Sequence, residues 1–473
     1  MTFSFLRPLL PVLTVLLVAT ALLNSTSVSA MASQPNHESI NENMSENVSE
    51  KASEQDDDWA DDWDEEEEAS PWRVTGFIEA AYGQFLQTNI TEKSSSLNEI
   101  KARVNIDYSH AIFELTGKAD TSYDAVLDKT IWHTRALNVS ASPFSFLDVK
   151  VGRQILTWGT GDYLFLNDLF AKDWQSFFSG RADEYLKAPS DSIRTNWYFD
   201  NVNFTLVWTP EFTPDNYVTG ERFSFYSPQL QQIVAPNEAF PAKKMNKSQW
   251  AARLNTNVNN IELSLYGYQG FWPTPTGSES VTESQTSYNQ SMNNQAVQSQ
   301  VYFPKLNTWG VSALTSYLGG LVNIEYANYN SIEDRHGNNN NIANGQHRFL
   351  IGYEREIAKN LTASVQYYLE RTKNYQALLE NSLTPEQLVD ENRQLITLRF
   401  TYRTQQQTLT YSLFSFYSPT DNDAYLKPSI NYQYNDQWLF STGANVFIGK
   451  DDYSFFGQHQ DNTNAWLSIR FQY

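Results

Sequence analysis

No cysteine occurs anywhere in the 473 residues. Disulfides, thiolate metal sites and thiol chemistry are therefore excluded. Histidine is scarce too, at six residues: His37 and His110 fall in a tail and a turn, His336, His347 and His459 at or in external loops, and His133 alone within a strand, and each of them reads as a surface residue and not as a catalyst. No G-x-S-x-G, H-E-x-x-H or phosphate-binding glycine loop accompanies them, so no catalytic constellation or metal site can be named and no cofactor is implied. After the first thirty residues there is no long apolar run, and mean hydropathy is −0.51, which excludes a bundle of membrane-crossing helices. Basic patches are also lacking. With 33 Lys and Arg against 54 Asp and Glu, nucleic-acid binding has no support.

What is present begins with a secretory signature over residues 1–30. Arg7 gives the positive start, Leu9 to Leu23 a short apolar stretch, and Val28-Ser29-Ala30 a small-residue cleavage site. Residues 31–70 then hold fifteen acids against one lysine, so −14 of the net −21 lies in forty residues. Such a segment is too polar to fold alone. Its densest part, QDDDWADDWDEEEE, sets Trp59 and Trp63 among carboxylates that include Asp61, Asp62 and Asp64. A solvated spacer is one reading. Docking on a basic periplasmic or inner-membrane partner, with the tryptophans as anchors, is another. Occluding a lumen or loosely holding divalent cations is a third.

From residue 71 to 473 the pattern changes. Aromatics are 14% of the chain, with 27 Tyr and 28 Phe, and they sit in segments of strict alternation. Ile100, Ala102, Val104, Ile106 and Tyr108 share one face, opposite Lys101, Arg103, Asn105, Asp107 and Ser109. Residues 111–120 set Phe113, Leu115, Gly117 and Ala119 against Glu114, Thr116, Lys118 and Asp120. Residues 394–403 set Ile396, Leu398, Phe400 and Tyr402 against Thr397, Arg399, Thr401 and Arg403. Segments of about ten residues suffice to cross a bilayer at a tilt.

Eighteen such segments can be read, with sixteen as the other even count. Tight connections near 109–110, 200–201, 259–260, 318–320, 358–360, 404–406 and 435–436 alternate with long ones at 88–99, 159–191, 210–247, 272–300, 330–346, 372–392 and 449–463. Polar tracts at Ser94 to Ser96, Ser278 to Asn294 and Asn338 to Asn341 read as mobile loop. Short turns alternating with long loops are the signature of an all-β transmembrane antiparallel barrel, with both termini in the periplasm of a Gram-negative bacterium and outer-membrane lipid and lipopolysaccharide around it. The chain closes on an alternating strand, Ala465 to Tyr473, of the kind read by the barrel-assembly machinery.

The segment Val151-Gly-Arg-Gln-Ile-Leu-Thr-Trp-Gly-Thr-Gly-Asp162, with Leu166-Asn-Asp-Leu-Phe170, Pro189-Ser-Asp-Ser-Ile-Arg194 and Leu206-Val-Trp-Thr-Pro-Glu-Phe-Thr-Pro214, resembles a family of proteobacterial outer-membrane barrels. That family is distantly related to alginate-export-like and substrate-specific porins and has no settled function; some members sit beside exporters of hydrophobic molecules. The resemblance spans residues 145–215. It marks Gly152, Arg153, Gln154, Trp158, Gly159, Asp162, Asn167 and Asp168 and implies a location and a class, not a mechanism. In the strand over 146–158, Leu147, Val149 and Val151 face lipid while Asp148 and Lys150 face the lumen. Strict alternation then sends Arg153 into lipid at a cost of about 2–4 kcal/mol near midplane. A bulge at Gly152 that turns Arg153 inward is the expectation, and a place at the outer interface is the alternative. Trp158 and Gly159 read either as part of that motif or as a girdle residue and a turn glycine.

The loop 159–191 is too aromatic to sit in water, so it either folds into the lumen or caps neighbouring loops. The lumen candidates Lys101, Arg103, Asp107, Glu114, Lys118, Asp120, Asp148, Lys150, Arg399 and Arg403, with Lys427, Arg470, Glu79, Glu325 and Glu370, are near balance in sign. A channel or transport component, with or without an exporter partner, is the leading class. A plugged receptor or structural barrel is the alternative, and a lipid hydrolase is a third.

Overall fold

The computed structural model describes residues 70–228, 230–235, 242, 245–280 and 299–473. The signal segment and the acidic tail, with Trp59, Asp61, Asp62, Trp63 and Asp64, lie outside the described residues. Eighteen antiparallel strands form one sheet, and the first strand pairs with the last, Phe77 opposite Gln472 through Phe85 opposite Asn464. The barrel is closed and has no free edge.

The strands are β1 (Trp72–Phe85), β2 (Ser95–His110), β3 (Phe113–Asp124), β4 (Lys129–Phe144), β5 (Leu147–Ile155), β6 (Pro189–Phe199), β7 (Val202–Thr209), β8 (Gln249–Val258) and β9 (Ile261–Phe271). They continue as β10 (Lys305–Tyr317), β11 (Gly320–Ser331), β12 (Gln346–Ala358), β13 (Leu361–Thr372), β14 (Asn392–Thr404), β15 (Leu409–Ser418), β16 (Asp423–Gln433), β17 (Trp438–Ile448) and β18 (Asn464–Gln472). Each of the eighteen segments read from alternation corresponds to one of them. Two short hairpins, Phe225–Ser227 with Gln232–Val234 and Gly277–Ser280 with Ser299–Tyr302, stand outside the barrel sheet.

Alternation explains the two faces. Along β1 the even positions Ile78 and Tyr82 are exposed outward, while Phe77, Glu79, Ala81 and Phe85 are buried inward. Ile100, Val104, Leu137, Leu265, Val311, Val365, Leu398 and Leu467 continue the exposed apolar band around the wall. An apolar outside of this extent is what a bilayer covers. Aromatic pairs bracket it. Trp72 with Tyr108 (4.5 Å), Phe144 with Phe146 (5.3 Å) and Trp438 with Phe471 (5.0 Å) stand near the short-turn rim. Trp208 with Trp250 (5.9 Å) and Trp309 with Tyr326 (5.5 Å) stand toward the long-loop rim, as interfacial rings do. Two connections on the long-loop side, 125–128 and 419–422, are short. At the tight turns, Asn259 and Asn260 take φ of 51° and 63°, left-handed values that asparagine tolerates and that suit the hairpin twist.

Three expectations need correction. No register shift occurs at Gly152; Val151, Arg153 and Ile155 share the outward face, and Gly152 takes φ 119° without re-aiming its neighbour. Arg153 stays outside near the long-loop rim, where its guanidinium pairs with Asp191 at 2.7 Å. A local counter-ion, not a bulge, resolves the misplaced charge. The bulge lies instead in β4, where the register with β3 shifts beside Lys118 and Ala119 and turns Arg135 inward. Second, Ser95 and Ser96 belong to β2, and Ser96 is fully buried; likewise Ser278 to Ser280 pair as a strand. Third, His459 is buried within its loop and not at the surface.

Candidate pore

The connection between β5 and β6, residues 156–188, turns inward after Ile155 and crosses the lumen. It contains helix α1 (Trp174–Ser179), capped by the Asp173 carboxylate on Ser176 N at 2.7 Å and ended by Gly180 at φ 89°. The reason for its course is apolar. Its Phe177 and Phe178 are buried against Tyr425 and Phe447 on the inner wall, at centroid distances of 5.7 Å and 5.2 Å, and Tyr163 meets Phe414 edge-on at 4.6 Å. The wall at β15–β17 therefore presents rings to the lumen, and the loop covers them. Asn445 and Asn464 donate to the Phe178 carbonyl at 2.9 Å and 3.0 Å. A Cβ on Gly180 would collide with the Trp466 ring, so glycine permits both the left-handed turn and the close approach.

The other end of the loop is fastened to β11. The Glu325 carboxylate, almost fully buried, accepts from Thr160 N, from Thr160 Oγ1 at 2.8 Å, from Gly161 N at 3.1 Å and from Asn167 Nδ2 at 2.7 Å. Asn323 Nδ2 donates to the Thr160 carbonyl at 3.0 Å, and Tyr329 OH to the Leu166 carbonyl at 2.6 Å. The glycines clear the space. A Cβ on Gly159 would lie 3.2 Å from Glu325 Oε1, and one on Gly310 would collide with Asn167. Asp162 reaches Arg399 at 3.1 Å. Trp158 lies edge-on to Phe170 at 4.9 Å and packs on Tyr266 at 6.0 Å, so it belongs to the loop's packing and not to an outer girdle.

Asp168 and Lys172 form a buried pair at 3.0 Å, and Thr157 Oγ1 donates to Asp168 at 2.9 Å. Asp215, from the next long connection, accepts Lys172 N at 2.8 Å and Trp174 Nε1 at 2.9 Å. Burial pushes the Asp215 carboxyl up to about 6. His459, enclosed by Phe178 and Phe447 (5.1 Å and 5.5 Å), is driven down to about 4 by the same cause. Burial alone would raise Asp183, but the Lys427 ammonium beside it holds its carboxyl below the usual value.

These contacts sort the lumen charges. Lys101 pairs with Glu99 (2.7 Å), Arg103 with Asp120 (2.6 Å) and Glu184 (2.7 Å), and Arg470 with Glu79 (2.8 Å). Arg399 is shared by Asp162 and Glu354, Lys427 meets Asp183, and Arg348 meets Glu370 at 3.3 Å. Lys101, Arg103 and Asp120 thus face inward but are sealed by one another and by the loop. Loop cations missing from the expected set do much of the sealing: Arg181 binds Glu99 at 2.6 Å, and Arg222 binds Asp124. Asp148 accepts from Ser142 Oγ at 2.6 Å and Tyr198 OH at 2.7 Å. Asp107 faces Arg73 across β1 and β2, Glu114 faces Ser140, and Arg403 lies exposed near a short turn.

A remainder is left over. Lys118, Arg135, Lys150, Arg194 and Arg253 line the inner face of β3–β8, and none forms an ion pair with a described residue. Lys150 stands directly opposite Arg194 in the β5–β6 register. Arg253 lies two residues from the site that faces Arg194 across β7. Like charges placed opposite one another destabilise a sheet. Arg135 donates to the Glu184 and Lys187 carbonyls at 2.8 Å and 3.2 Å, and Arg253 lies over the Trp158 ring at 5.8 Å. Arg194 and Arg253 were legible as inward positions in their strands. Arg135 was not, because the bulge shifts its face.

On the long-loop side of the crossing loop lies a cavity of about 1480 Å³, lined by Phe165, Trp174, Tyr226, Trp272, Arg348 and Phe456 among others.

No family model and no curated protein matches the sequence. Solved structures do resemble the fold. Acinetobacter baumannii OccAB4 aligns over 85% of this chain and 98% of its own, at TM-score 0.50 and 9% identity. Pseudomonas aeruginosa OccD3 aligns over 85% and 91%, at TM-score 0.48 and 10% identity. Pseudomonas aeruginosa OccK2 in complex with glucuronate aligns over 85% and 97%, at TM-score 0.49 and 7% identity. With OccAB4 the likeness is one of barrel fold.

Proposed function

We propose that the protein is a channel of the bacterial outer membrane that passes small anionic solutes beside an inward-folded loop, and that it is not an enzyme. The observation that carries this reading is the row Lys118, Arg135, Lys150, Arg194 and Arg253, five inward cations that form no ion pair with a described residue, whereas Lys101, Arg103, Arg399, Lys427 and Arg470 are each ion-paired. Sheet stability alone disfavours Lys150 opposite Arg194, and a passing anion supplies the missing partner, since rows of one sign select ions. The test is the permeability ratio of chloride to potassium in planar bilayers under a salt gradient. The Arg194→Gln/Arg253→Gln double variant should lower that ratio severalfold while conductance persists. An unchanged ratio would remove the row from selectivity.

A second reading, a closed receptor barrel, draws support from the crossing loop. It predicts no current from the wild-type protein. In either case we place the short-turn rim and the acidic segment 31–70 in the periplasm, where Trp59 and Trp63 would anchor a basic partner such as an exporter subunit. Deleting residues 52–69 should leave the barrel assembled and weaken partner-dependent transport. Normal transport after that deletion would reduce the segment to a spacer.

A further inference from the structure

The motif that resembles a family, W-G-T-G-D with L-N-D, meets a single acidic side chain that lies far from it in sequence. We infer that Glu325 is the positioning residue of the pore: it holds residues 158–167 across the lumen, and its hydrogen bonds set how far the channel is open. The geometry is unusual for a buried acid. No described cation pairs with Glu325, and its carboxylate is met by four neutral donors instead, three of them from Thr160 and Gly161 and one from Asn167. A buried carboxylate held in this way is stable only while every donor is in place. Losing the loop would leave it unpaired, so the docked position is strongly preferred.

The surrounding wall is shaped for the same segment. Gly310 makes room for Asn167, and Gly352 makes room for Asn323, which binds the Thr160 carbonyl. Gly159, at φ 82°, lets the chain turn directly over the Glu325 oxygens. Three glycines on separate segments, Gly159, Gly310 and Gly352, therefore serve one contact. The loop's far half is held mainly by packing and ion pairs on other strands. The Glu325 contact is directional, and it fastens the stretch that carries Trp158 toward Arg253 in the cation row.

The chain's lack of cysteine makes the test clean. Leu166, 1% exposed, is replaced by cysteine, and the labelling rate by a bulky maleimide is measured in wild-type and variant backgrounds, alongside single-channel conductance. Glu325→Ala should raise labelling at least tenfold and increase conductance. Glu325→Gln keeps one acceptor oxygen, and Asn167 can turn its own amide to meet the new donor, so it should fall between the two. Labelling of Glu325→Ala at the wild-type rate would overturn the inference, even if the protein conducts, which would leave the channel reading standing. Faster labelling with no current from any variant would support the latch and refute the channel. Should Glu325→Ala not reach the heat-modifiable barrel form, Asn167→Ala carries the same test, and unchanged labelling there would count equally against the latch.

Discussion

Removing the Phe178 ring tests whether the lumen loop is held by packing. Phe178 is 4% exposed and meets Phe177, Trp174, Tyr425, Phe447 and His459 at centroid distances between 5.1 Å and 6.2 Å. Truncating a buried Phe to Ala costs about 3–5 kcal/mol in lost transfer energy and residual cavity. The barrel strands retain their ladders, so the loss falls on the docking of the loop. It should raise the undocked population by roughly 10²–10⁴-fold. The assay is limited trypsin digestion of the folded protein. Lys172 and Arg181 are enclosed and ion-paired in the docked loop, and should become cleavable in Phe178→Ala while the barrel remains heat-modifiable. A variant that resists trypsin like the wild type, with a lowered melting temperature for the whole barrel, would refute the reasoning. It would mean that loop and barrel unfold as one unit.

Acid should act on the long loops with opposite signs. His459 titrates near 4 when docked against 6.5 free, so its contribution is complete above 6.5 and is lost as pH falls toward 4, by roughly 3 kcal/mol. Asp215 titrates near 6 against 3.8, so its contribution is complete below 3.8 and is lost as pH rises through 6. Protection factors from hydrogen exchange, corrected for the intrinsic rate at each pH, should therefore fall between pH 7 and pH 5 over residues 449–463 and rise near 215, and His459→Gln should abolish the first effect. Arg153→Ala removes an exposed pair on the outward face; stability should change by less than about 1 kcal/mol and conductance not at all, with conductance recordings and thermal melts as the check.

Strand positions were readable because a barrel wall repeats one local rule. Alternate residues meet lipid, and the polar turn between strands is short or long by side. The same rule placed Lys101, Asp107, Glu114, Lys118, Asp148 and Lys150 on the inner face. It could not say which of them stay uncompensated, because their partners come from a loop. Arg181 reaches Glu99, and Lys427 reaches Asp183, across 82 and 244 positions of chain. Arg135 was hidden for a different reason, since one extra residue in β4 reverses the parity on which the reading depends. The Gly152 bulge failed because a counter-ion at Asp191 on the neighbouring strand solves the same problem without disturbing the register. The W-G-T-G-D motif carried a family resemblance only, and Glu325 has no local mark of being what holds it.

At the centre stands a row of cations, without ion pairs to described residues, that faces a passable lumen. Reversal potential measured on single wild-type channels across a tenfold potassium chloride gradient tests it most directly. The potential should be displaced toward the chloride equilibrium value. A potential displaced toward potassium, or a protein that inserts and never conducts, would contradict it.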